Sequence, residues 1–486
     1  MANKQKIRQI EDYLVIDRLR FENPWWISGE TETGYRELKH RPYFDLFYPL
    51  VLETKIKRAV VLMGPRRVGK TVMMHHTIQY LLDQKINRNR ICFINIENPI
   101  FNNINLEQLF SLARQAVAKD DPKGWFVFFD EIQYLKDWEI HLKVLVDSYP
   151  DTKFIVSGSA AAALNLKNRE SGAGRFTDFM LPPLTFHEYI HLKGLNHLLS
   201  PSKLHWVWTD IDFFTSINPG ELNRNFINYI NYGGYPEVIF SEKIQSDPGR
   251  FIKSDIIDKV LLRDLPSLYG IQDVQELNSF FTMLAYNSGN EVSLDALSKG
   301  SGVEKHQIKK YLEYLEAAFL IRIIHRIDDN AKQFKRTVCY KICLTNPSLR
   351  SALFSPLKAT DDMMGSMVET AIYSQWMHDD KFIPWYARWS QGKYQGEVDI
   401  VGLDAMFKPS FAVEIKWSNR YLDKPNELKS LISFCNKNEL NSALVTTIDK
   451  EGSLEYNGVN LIYVPSAIYA YTVGKNIIEH KQKKGS

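Results

Sequence analysis

The sequence predicts a multidomain α/β protein built around a parallel β-sheet that carries a phosphate-binding loop (P-loop). Three observations lead to this fold class. Residues 64–71, GPRRVGKT, satisfy the pattern G-x-x-x-x-G-K-[ST]. Apolar strand-like runs alternate with helix-like segments from about residue 52 to 183, as in parallel sheets with crossover helices. A chain of 486 residues is too long for one small hydrophobic core, and its length favours about three domains.

The loop lies in the strand–loop–helix context that its pattern requires, because an apolar run precedes it and a helix is predicted over 71–83. Its two glycines let backbone N–H groups surround a polyphosphate, together with the positive end of the helix. Lys70 is expected to reach the β- and γ-phosphates of ATP, and the Thr71 hydroxyl to hold Mg²⁺. The predicted nucleotide-binding residues are Gly64, Pro65, Arg66, Arg67, Val68, Gly69, Lys70, Thr71 and Val72.

Three later apolar runs, at 91–96, 125–131 and 154–159, predict strands buried on both faces. Ligands bind at the carboxyl ends of such strands. The second run ends in two carboxylates that should therefore face the phosphates. Asp130 is predicted to coordinate Mg²⁺ through water, and Glu131 to orient or deprotonate the attacking water.

Three more residues are candidates for the same catalytic site. Ser157, at the end of the third strand, either contacts the γ-phosphate or the water, or belongs to a simple Gly/Ser turn. Arg175 and Arg263 are candidate charge stabilisers, acting in cis or from a neighbouring subunit. The alternative for each arginine is an ordinary surface position.

Residues 287–357 predict a winged helix-turn-helix: a short helix from Val292 to Ser298, a turn at 300–302, a helix over 304–319, and two strands at 320–327 and 338–344. The second helix exposes basic residues near its start that could enter a DNA groove. These residues are Lys305, His306, Lys309 and Lys310. A solvated face on a domain used for protein contacts is an equally open interpretation.

The last segment, from about residue 358, carries a second set of charged residues. Glu369 lies on a helix predicted over 363–376, Asp399 follows Glu397-Val398, and a predicted strand places Glu414 and Lys416 on one face. Carboxylates with a neighbouring lysine suit Mg²⁺-dependent phosphodiester hydrolysis, in which the acids hold the metal and the lysine positions or activates water. Charged residues two apart on a strand also occur by accident.

The order of these motifs resembles that of the bacterial and archaeal AAA-type ATP-binding proteins, from about residue 50 to the C-terminus. The motifs are GPRRVGKT, FVFFDEIQYL, IVSGS, GAGRF, LPPLTFHEY and GGYPE. The resemblance implies a P-loop NTPase sheet of the AAA or STAND type, a helical lid over the nucleotide, a winged helix, and a restriction-endonuclease-like domain related to PD-(D/E)XK nucleases. Glu369, Asp399, Glu414 and Lys416 look like an intact nuclease set, although in this family the domain often serves as a binding or structural module.

The sequence predicts five segments with these boundaries. They are an N-terminal extension (1–50), a P-loop ATPase core (51–185), a helical lid or connector (186–286), a winged helix-turn-helix (287–357) and a PD-(D/E)XK nuclease-like domain (358–486).

Composition and charge place few limits on function. The hydrophobic content of 44% and charged content of 24% are ordinary for a globular protein, and a net charge of +3 does not by itself demand nucleic acid. Four scattered cysteines fit a reduced, cytoplasmic setting. The polar start and the lack of a long apolar window predict neither export nor a membrane partner.

Together these features predict an ATPase that uses Mg²⁺ and acts on DNA, coupling ATP hydrolysis to DNA binding or remodelling. The family resemblance implies homo-oligomers such as rings or hexamers. Two alternatives stay open. One is an ATP-gated DNA endonuclease, and the other is an ATP-dependent switch or scaffold with a non-catalytic nuclease-like domain.

Overall fold

The computed structural model describes residues 11–159, 174–202, 212–330, 339–379 and 382–485. The chain divides into two compact units, Met1–Leu181 and Pro182–Ser486. The division lies close to the predicted end of the ATPase core at residue 185.

The first unit is built on a parallel sheet, which in the described residues has five strands in the order β2-β3-β4-β1-β5. The strands are β1 (Ala59–Met63), β2 (Ile91–Asn95), β3 (Phe126–Asp130), β4 (Lys153–Gly158) and β5 (Phe176–Met180). The first four agree with the apolar runs of the sequence to within a residue or two. The edge strand β5 was not predicted, because its residues are only partly buried and its sequence lacks a continuous apolar run.

The aromatic N-terminal segment belongs to this unit. The indole N–H groups of Trp25 and Trp26 both donate to the carbonyl of Ile91 on β2, at 3.0 and 2.8 Å. Residues 11–50 thus form part of the unit's packing. The α-helices of the unit are Asp12–Glu22, Trp25–Ser28, Thr33–Arg36, Phe44–Leu52, Lys70–Asp83, Leu106–Ala116 and Trp138–Ser148.

The second unit is built on a mixed sheet with nine strands among the residues described, in the order β15-β16-β14-β13-β12-β11-β9-β10-β8. A separate pair consists of β6 (Leu199–Pro201) and β7 (Phe214–Ser216). The strands of the large sheet are β8 (Glu291–Ser293), β9 (Ile321–Ile327), β10 (Cys339–Leu344), β11 (Trp385–Gln391), β12 (Tyr394–Leu403), β13 (Pro409–Glu414), β14 (Ser442–Thr447), β15 (Gly452–Tyr456) and β16 (Val459–Pro465).

The predicted winged-helix and nuclease-like segments share this sheet, because β9 pairs in parallel with β11. The boundary at 357/358 therefore does not separate two independent domains. Two helices, Leu294–Ser301 and Lys305–Ala317, join at Gly302 with φ +77° and are followed by the β9–β10 hairpin. Strand β8 occupies the place where the sequence predicted the start of the first helix, and Val338 lies outside the described residues.

The segment predicted as a lid, 186–286, packs inside the second unit. Tyr229 donates its hydroxyl to the Leu184 carbonyl at 2.8 Å and accepts from the Gln375 amide at 3.0 Å. Gln375 also accepts from the backbone N–H of Phe186, at 2.8 Å. The structure therefore places the helices Phe186–Lys193 and Pro219–Tyr232 against the helix Met364–Trp376. The role of the segment as a nucleotide lid stays a prediction.

The remaining helices of the second unit include two π-helical stretches, Gly249–Asp258 and Val260–Asp264. None of the helices in the described ranges is long and apolar enough to cross a membrane. The α-helices are Phe186–Lys193, Pro219–Tyr232, Pro236–Phe240, Glu242–Ser246, Leu265–Tyr269, Val274–Tyr286, Leu294–Ser301, Lys305–Ala317, Ser348–Leu353, Met364–Trp376, Arg420–Asp423, Lys429–Lys437 and Ser466–Gly485.

Candidate functional site

The topology of the first unit brings the loop 64–71 and the two predicted acids to one edge of the sheet. Strand β4 lies between β1 and β3, and all three run in parallel, so their carboxyl ends meet at that edge. The Thr71 hydroxyl donates to Asp130 Oδ2 at 2.7 Å across this edge. The predicted juxtaposition of the loop with the end of β3 is therefore present.

The loop has the geometry of a phosphate cradle. A side chain at Gly64 would place its Cβ 2.2 Å from the Leu181 carbonyl oxygen, so only glycine fits there. Gly69 adopts φ +94° and begins the helix Lys70–Asp83. The Lys70 ammonium, in a residue 5% exposed, donates to the carbonyls of Gly64 (3.1 Å) and Pro65 (2.9 Å). A helix N-terminus beside a buried ammonium fits a polyphosphate.

Asp130 has the environment expected of a residue that would hold Mg²⁺ together with Thr71. It is buried, and its two carboxylate oxygens accept from the hydroxyls of Thr71 and Ser157. Burial, followed by the charge of Glu131, raises the pKa of Asp130, while the two hydroxyls and the Lys70 ammonium oppose that rise. Hydroxyl and carboxylate oxygens are the ligands that Mg²⁺ prefers.

Glu131 is held by both its backbone and its side chain. It adopts φ +54°, and its N–H donates to the Ser157 hydroxyl oxygen at 3.2 Å. Its carboxylate accepts from the side-chain amide of Gln133, whose oxygen accepts from the N–H of Ser159 at 3.1 Å. The fully buried Ser157 therefore positions both acids. The sequence reasoning missed Gln133, although it lies within the motif FVFFDEIQYL.

A second residue that the sequence reasoning missed supports the loop from the N-terminal segment. The buried Arg41 guanidinium donates to the Val68 carbonyl at 2.8 Å. No motif in the sequence marks this arginine, because its role depends on a contact with a loop 27 residues away. Of the other predicted loop residues, Arg66 donates to the Tyr134 hydroxyl at 3.4 Å, and Arg67 adopts φ +65°.

The structure does not bring the candidate Arg175 to this edge. Arg175 precedes β5, and its carbonyl accepts from the N–H of Ala59 at 2.9 Å, at the amino end of β1. At about 3.3 Å per residue, the five residues of β1 separate it from the loop by roughly 16 Å. Its guanidinium pairs with Asp147 at 3.1 Å. The structure therefore does not support a role for Arg175 at the site of its own chain. Gly172 and Ala173 of the GAGRF motif lie outside the described residues.

Arg263 belongs to the second unit. It lies exposed on the π-helical stretch Val260–Asp264. A contribution of either arginine from a neighbouring subunit stays a prediction.

The helix that follows the loop should lose stability in acid. His75 stacks on Tyr35 with ring centroids 4.0 Å apart, and burial, followed by the charge of His76, lowers its pKa from 6.5 to about 4. The folded state favours the neutral ring of His75. The contribution of this ring to the free energy of unfolding is therefore fully present above pH 6.5 and is lost as the pH falls toward 4. The expected loss at pH 5 is about 2 kcal/mol from His75 alone.

His75→Phe keeps an aromatic ring against Tyr35 and removes the titration. Its urea-unfolding midpoint should therefore fall less between pH 7 and pH 5 than that of the unmodified chain. His141→Phe, on another helix of the same unit, is the matched control and should leave the pH dependence in place. Equal falls in all three proteins would contradict the assignment to His75.

The second unit does gather the predicted nuclease-like residues. Lys416 Nζ lies 2.7 Å from Glu414 Oε1 and 3.7 Å from Asp399 Oδ2. Asp399 Oδ2 also accepts from the N–H of Ile415 at 2.8 Å. Strands β12 and β13 are antiparallel neighbours, which places Asp399 beside Glu414 as predicted. Glu369 lies on the helix Met364–Trp376, where the sequence placed it.

An unpredicted lysine enters this group from β10. Lys341 Nζ donates to the carboxylate of Glu369, and it lies 3.0 Å from Glu397 Oε1 and 3.6 Å from Asp399 Oδ1. The only sequence signal was a lysine within the apolar strand Cys339–Leu344, which calls for a buried partner charge. We refer to Lys341, Glu369, Asp399, Glu414 and Lys416 as the carboxylate–lysine cluster.

The predicted metal set Glu369, Asp399 and Glu414 does not fit a metal ion as it stands. In the part of the chain that the structure describes, no group of three or more acidic, histidine or cysteine side chains is arranged to hold one. The physical reason is that ammonium groups lie among these acids. Burial is the main cause that raises the pKa of both Glu369 and Glu414 to about 7, against the opposing charges of Lys341 and Lys416.

Burial acts to lower the pKa of Lys341, but the charges of Glu369 and the neighbouring acids outweigh it and raise that pKa well above its ordinary value. Lys341 is therefore charged throughout the physiological range. The cluster is a set of ion pairs.

The predicted DNA-contact residues lie on the exposed face of the helix Lys305–Ala317. Lys305 pairs with Asp295, and His306 Nδ1 lies 3.0 Å from the Glu304 carboxylate. Lys309 and Lys310 are exposed. Two of the four basic residues are thus engaged by neighbouring acids.

Comparison with known proteins agrees with the geometry of the first unit. Residues 56–190 match the family model described as an AAA domain, and residues 223–361 match a domain of unknown function (DUF8612). A solved structure, that of C. elegans PCH-2, is similar to 48% of this chain and 64% of its own, with 14% identity and a TM-score of 0.26, which is too low to indicate a shared fold.

Three relatives are described as uncharacterized proteins. One, from Haemophilus influenzae, is 26% identical over 298 residues, or 60% of this chain and 68% of its own length. Two come from Methanocaldococcus jannaschii: one is 26% identical over 60% of this chain and 61% of its own, and the other 20% identical over 70% and 72%. The matched part of this chain therefore spans between three fifths and three quarters of each relative. Residues 56–190 carry an AAA domain of the P-loop nucleotide-binding kind, which suggests ATP binding and hydrolysis.

Proposed function

We propose that this chain binds ATP with Mg²⁺ at the loop Gly64–Thr71 and hydrolyses it, and that DNA bound by the second unit is the effector of hydrolysis. The observation that carries the first part is the contact between the Thr71 hydroxyl and Asp130 Oδ2, 2.7 Å apart beside the buried Lys70 ammonium. A cation, a hydroxyl and a buried acid beside one glycine-containing loop support the binding of a nucleotide with Mg²⁺.

Each residue of this site has a distinct task. The loop N–H groups and Lys70 bind the phosphates, and Thr71 and Asp130 are the residues that would hold Mg²⁺. When bound, Mg²⁺ supplies charge neutralisation at the β- and γ-phosphates. Glu131, held by Ser157 and Gln133, orients a water molecule and accepts its proton. The proposal includes a homo-oligomer, such as the ring or hexamer that the family resemblance implies.

The support for DNA is the helix-turn-helix followed by a β-hairpin in the second unit. This order of elements is compatible with a winged helix, whose second helix would enter the major groove. Lys309 and Lys310 are exposed on that helix and suited to phosphate contacts.

The proposal is tested by steady-state ATP hydrolysis of the full chain with and without single-stranded, duplex and branched DNA. DNA integrity is followed in the same tubes. We expect hydrolysis that requires Mg²⁺ and is stimulated by one DNA form. A rate that is the same with every DNA, with no DNA binding, would overturn the part of the proposal that concerns DNA and leave the ATPase intact.

Replacing Lys309 and Lys310 together by alanine should weaken DNA binding about equally for all sequences. Removing one lysine–phosphate ion pair should reduce the slope of log K against log salt by about 1, so the double variant should reduce it by about 2. Fluorescence anisotropy at several salt concentrations measures this slope. Lys424→Ala with Lys429→Ala makes the same charge change elsewhere on the unit, and it should leave the slope unchanged. Equal slopes in both double variants would contradict the role of the helix.

An ATP-dependent switch or scaffold is the second candidate, and one observation favours it. Lys305 and His306 are already paired with acids, which leaves less positive charge for a phosphate backbone. An ATP-gated endonuclease is the candidate that the geometry supports least, because ammonium groups lie among its proposed metal ligands.

A further inference from the structure

The carboxylate–lysine cluster contains a cation supplied by the chain itself. Lys341 is 1% exposed, and its ammonium has three carboxylates around it: Glu369, Glu397 at 3.0 Å and Asp399 at 3.6 Å. It also lies 5.2 Å from the ring centroid of Tyr386, whose face attracts cations. A buried ammonium with this many acidic neighbours has the coordination that a metal ion would otherwise require.

The sequence position of Lys341 makes this arrangement informative. The residue belongs to β10, in the segment predicted as a winged helix, while Glu369, Asp399 and Glu414 belong to the nuclease-like segment. Arg388 Nη1 extends the network by pairing with Glu291 Oε2 on β8 at 2.9 Å and with Glu397 Oε2 at 3.4 Å. The ion pairs therefore join both halves of the large sheet of the second unit.

One acidic oxygen in the cluster has no hydrogen-bond partner within the described part of the chain. Glu414 is 9% exposed, and among the described residues its Oε2 accepts no hydrogen bond, while its Oε1 accepts from Lys416. A buried, unpaired carboxylate oxygen is costly and attracts any additional cation that can reach it. Glu414 Oε2 is thus available as one ligand for a cation that enters after the Lys341 charge is removed.

We propose that Lys341 takes the place of a divalent metal ion in this cluster, so that the native chain excludes Mg²⁺ and Mn²⁺ from Glu369 and Asp399. The cluster then links β10 by ion pairs to β12 and to the helix Met364–Trp376. Removing the ammonium exposes a latent site of carboxylate oxygens, which are the ligands that hard divalent cations prefer.

The test is Mn²⁺ binding to the full chain without nucleotide, counted by electron paramagnetic resonance of the free ion. Lys341→Met keeps a long side chain and removes the charge. It should gain one bound Mn²⁺ per chain, with an affinity at least tenfold above that of any Mn²⁺ held by the native chain. The added Asp399→Asn substitution should abolish that gain. Lys437→Met is the matched control, because it removes another lysine–carboxylate pair, to Asp329, in the same unit, and it should gain nothing.

A folded Lys341→Met chain without extra Mn²⁺ would overturn the proposal. If Lys341→Met does not fold, Mn²⁺ binding by the native chain is compared with binding by Asp399→Asn. Equal binding supports the exclusion of Mn²⁺ from Asp399 in the native chain. Weaker binding by Asp399→Asn overturns it. ATP hydrolysis measured on the same proteins keeps this result separate from the proposed function, since the ATP-binding residues lie in the other unit.

Discussion

Replacing Lys70 by alanine should abolish nucleotide binding by this chain. The Lys70 ammonium is buried beneath the loop, where it donates to the carbonyls of Gly64 and Pro65. In the nucleotide complex the same ammonium would bond to phosphate oxygens, and a hydrogen bond between charged groups contributes about 1.5–3 kcal/mol. Two such bonds correspond to a loss of roughly 100-fold or more in affinity. Titration with a fluorescent ATP analogue measures this loss of affinity.

The control for this substitution is Lys119→Ala, an exposed lysine of the same unit. It should bind the analogue with native affinity. Both variants need unchanged thermal unfolding, so that a loss of binding reports the site and not the fold. A folded Lys70→Ala chain with native affinity would remove the loop from the proposed function.

The juxtaposition of the loop 64–71 with Asp130 could be predicted because its information is local. The loop pattern spans eight consecutive residues, and buried parallel strands place Asp130 at the same sheet edge as Thr71. Gln133 escaped notice because its role depends on how one turn brings its amide to both Glu131 and Ser159.

The misplaced and missed residues depend on strand pairing that no local pattern reveals. Arg175 was predicted as a site residue, but β5 pairs in parallel with β1, and this pairing places Arg175 at the opposite edge of the sheet. Lys341 was missed because the parallel pairing of β9 with β11 joins segments about sixty residues apart in sequence and brings β10 toward the acids. The packing of the segment 186–286 within the second unit could not be predicted for a similar reason, since Tyr229 is buried against the distant helix Met364–Trp376.

Replacing Glu131 by glutamine should leave ATP binding within about threefold of native and should reduce turnover roughly 100-fold or more, the usual contribution of a general base. The reason is that glutamine preserves shape. The backbone hydrogen bond from residue 131 to the Ser157 hydroxyl at 3.2 Å does not involve the carboxylate, so the strained turn at φ +54° should persist. The substitution removes the negative charge that would accept a proton from water.

Steady-state phosphate release, with binding of the fluorescent ATP analogue in parallel, separates these two effects. Glu97→Gln is the matched control, because Glu97 is a carboxylate of the same unit that accepts from the Tyr134 hydroxyl at 2.9 Å, and its turnover should stay native. Asp130→Asn should instead raise the Mg²⁺ concentration needed for half-maximal turnover, since Asp130 and Thr71 are the residues that would hold the ion. If Glu131→Gln hydrolysed ATP at the native rate, the base would lie elsewhere, and the buried Asp130, with its raised pKa, would be the first residue to test.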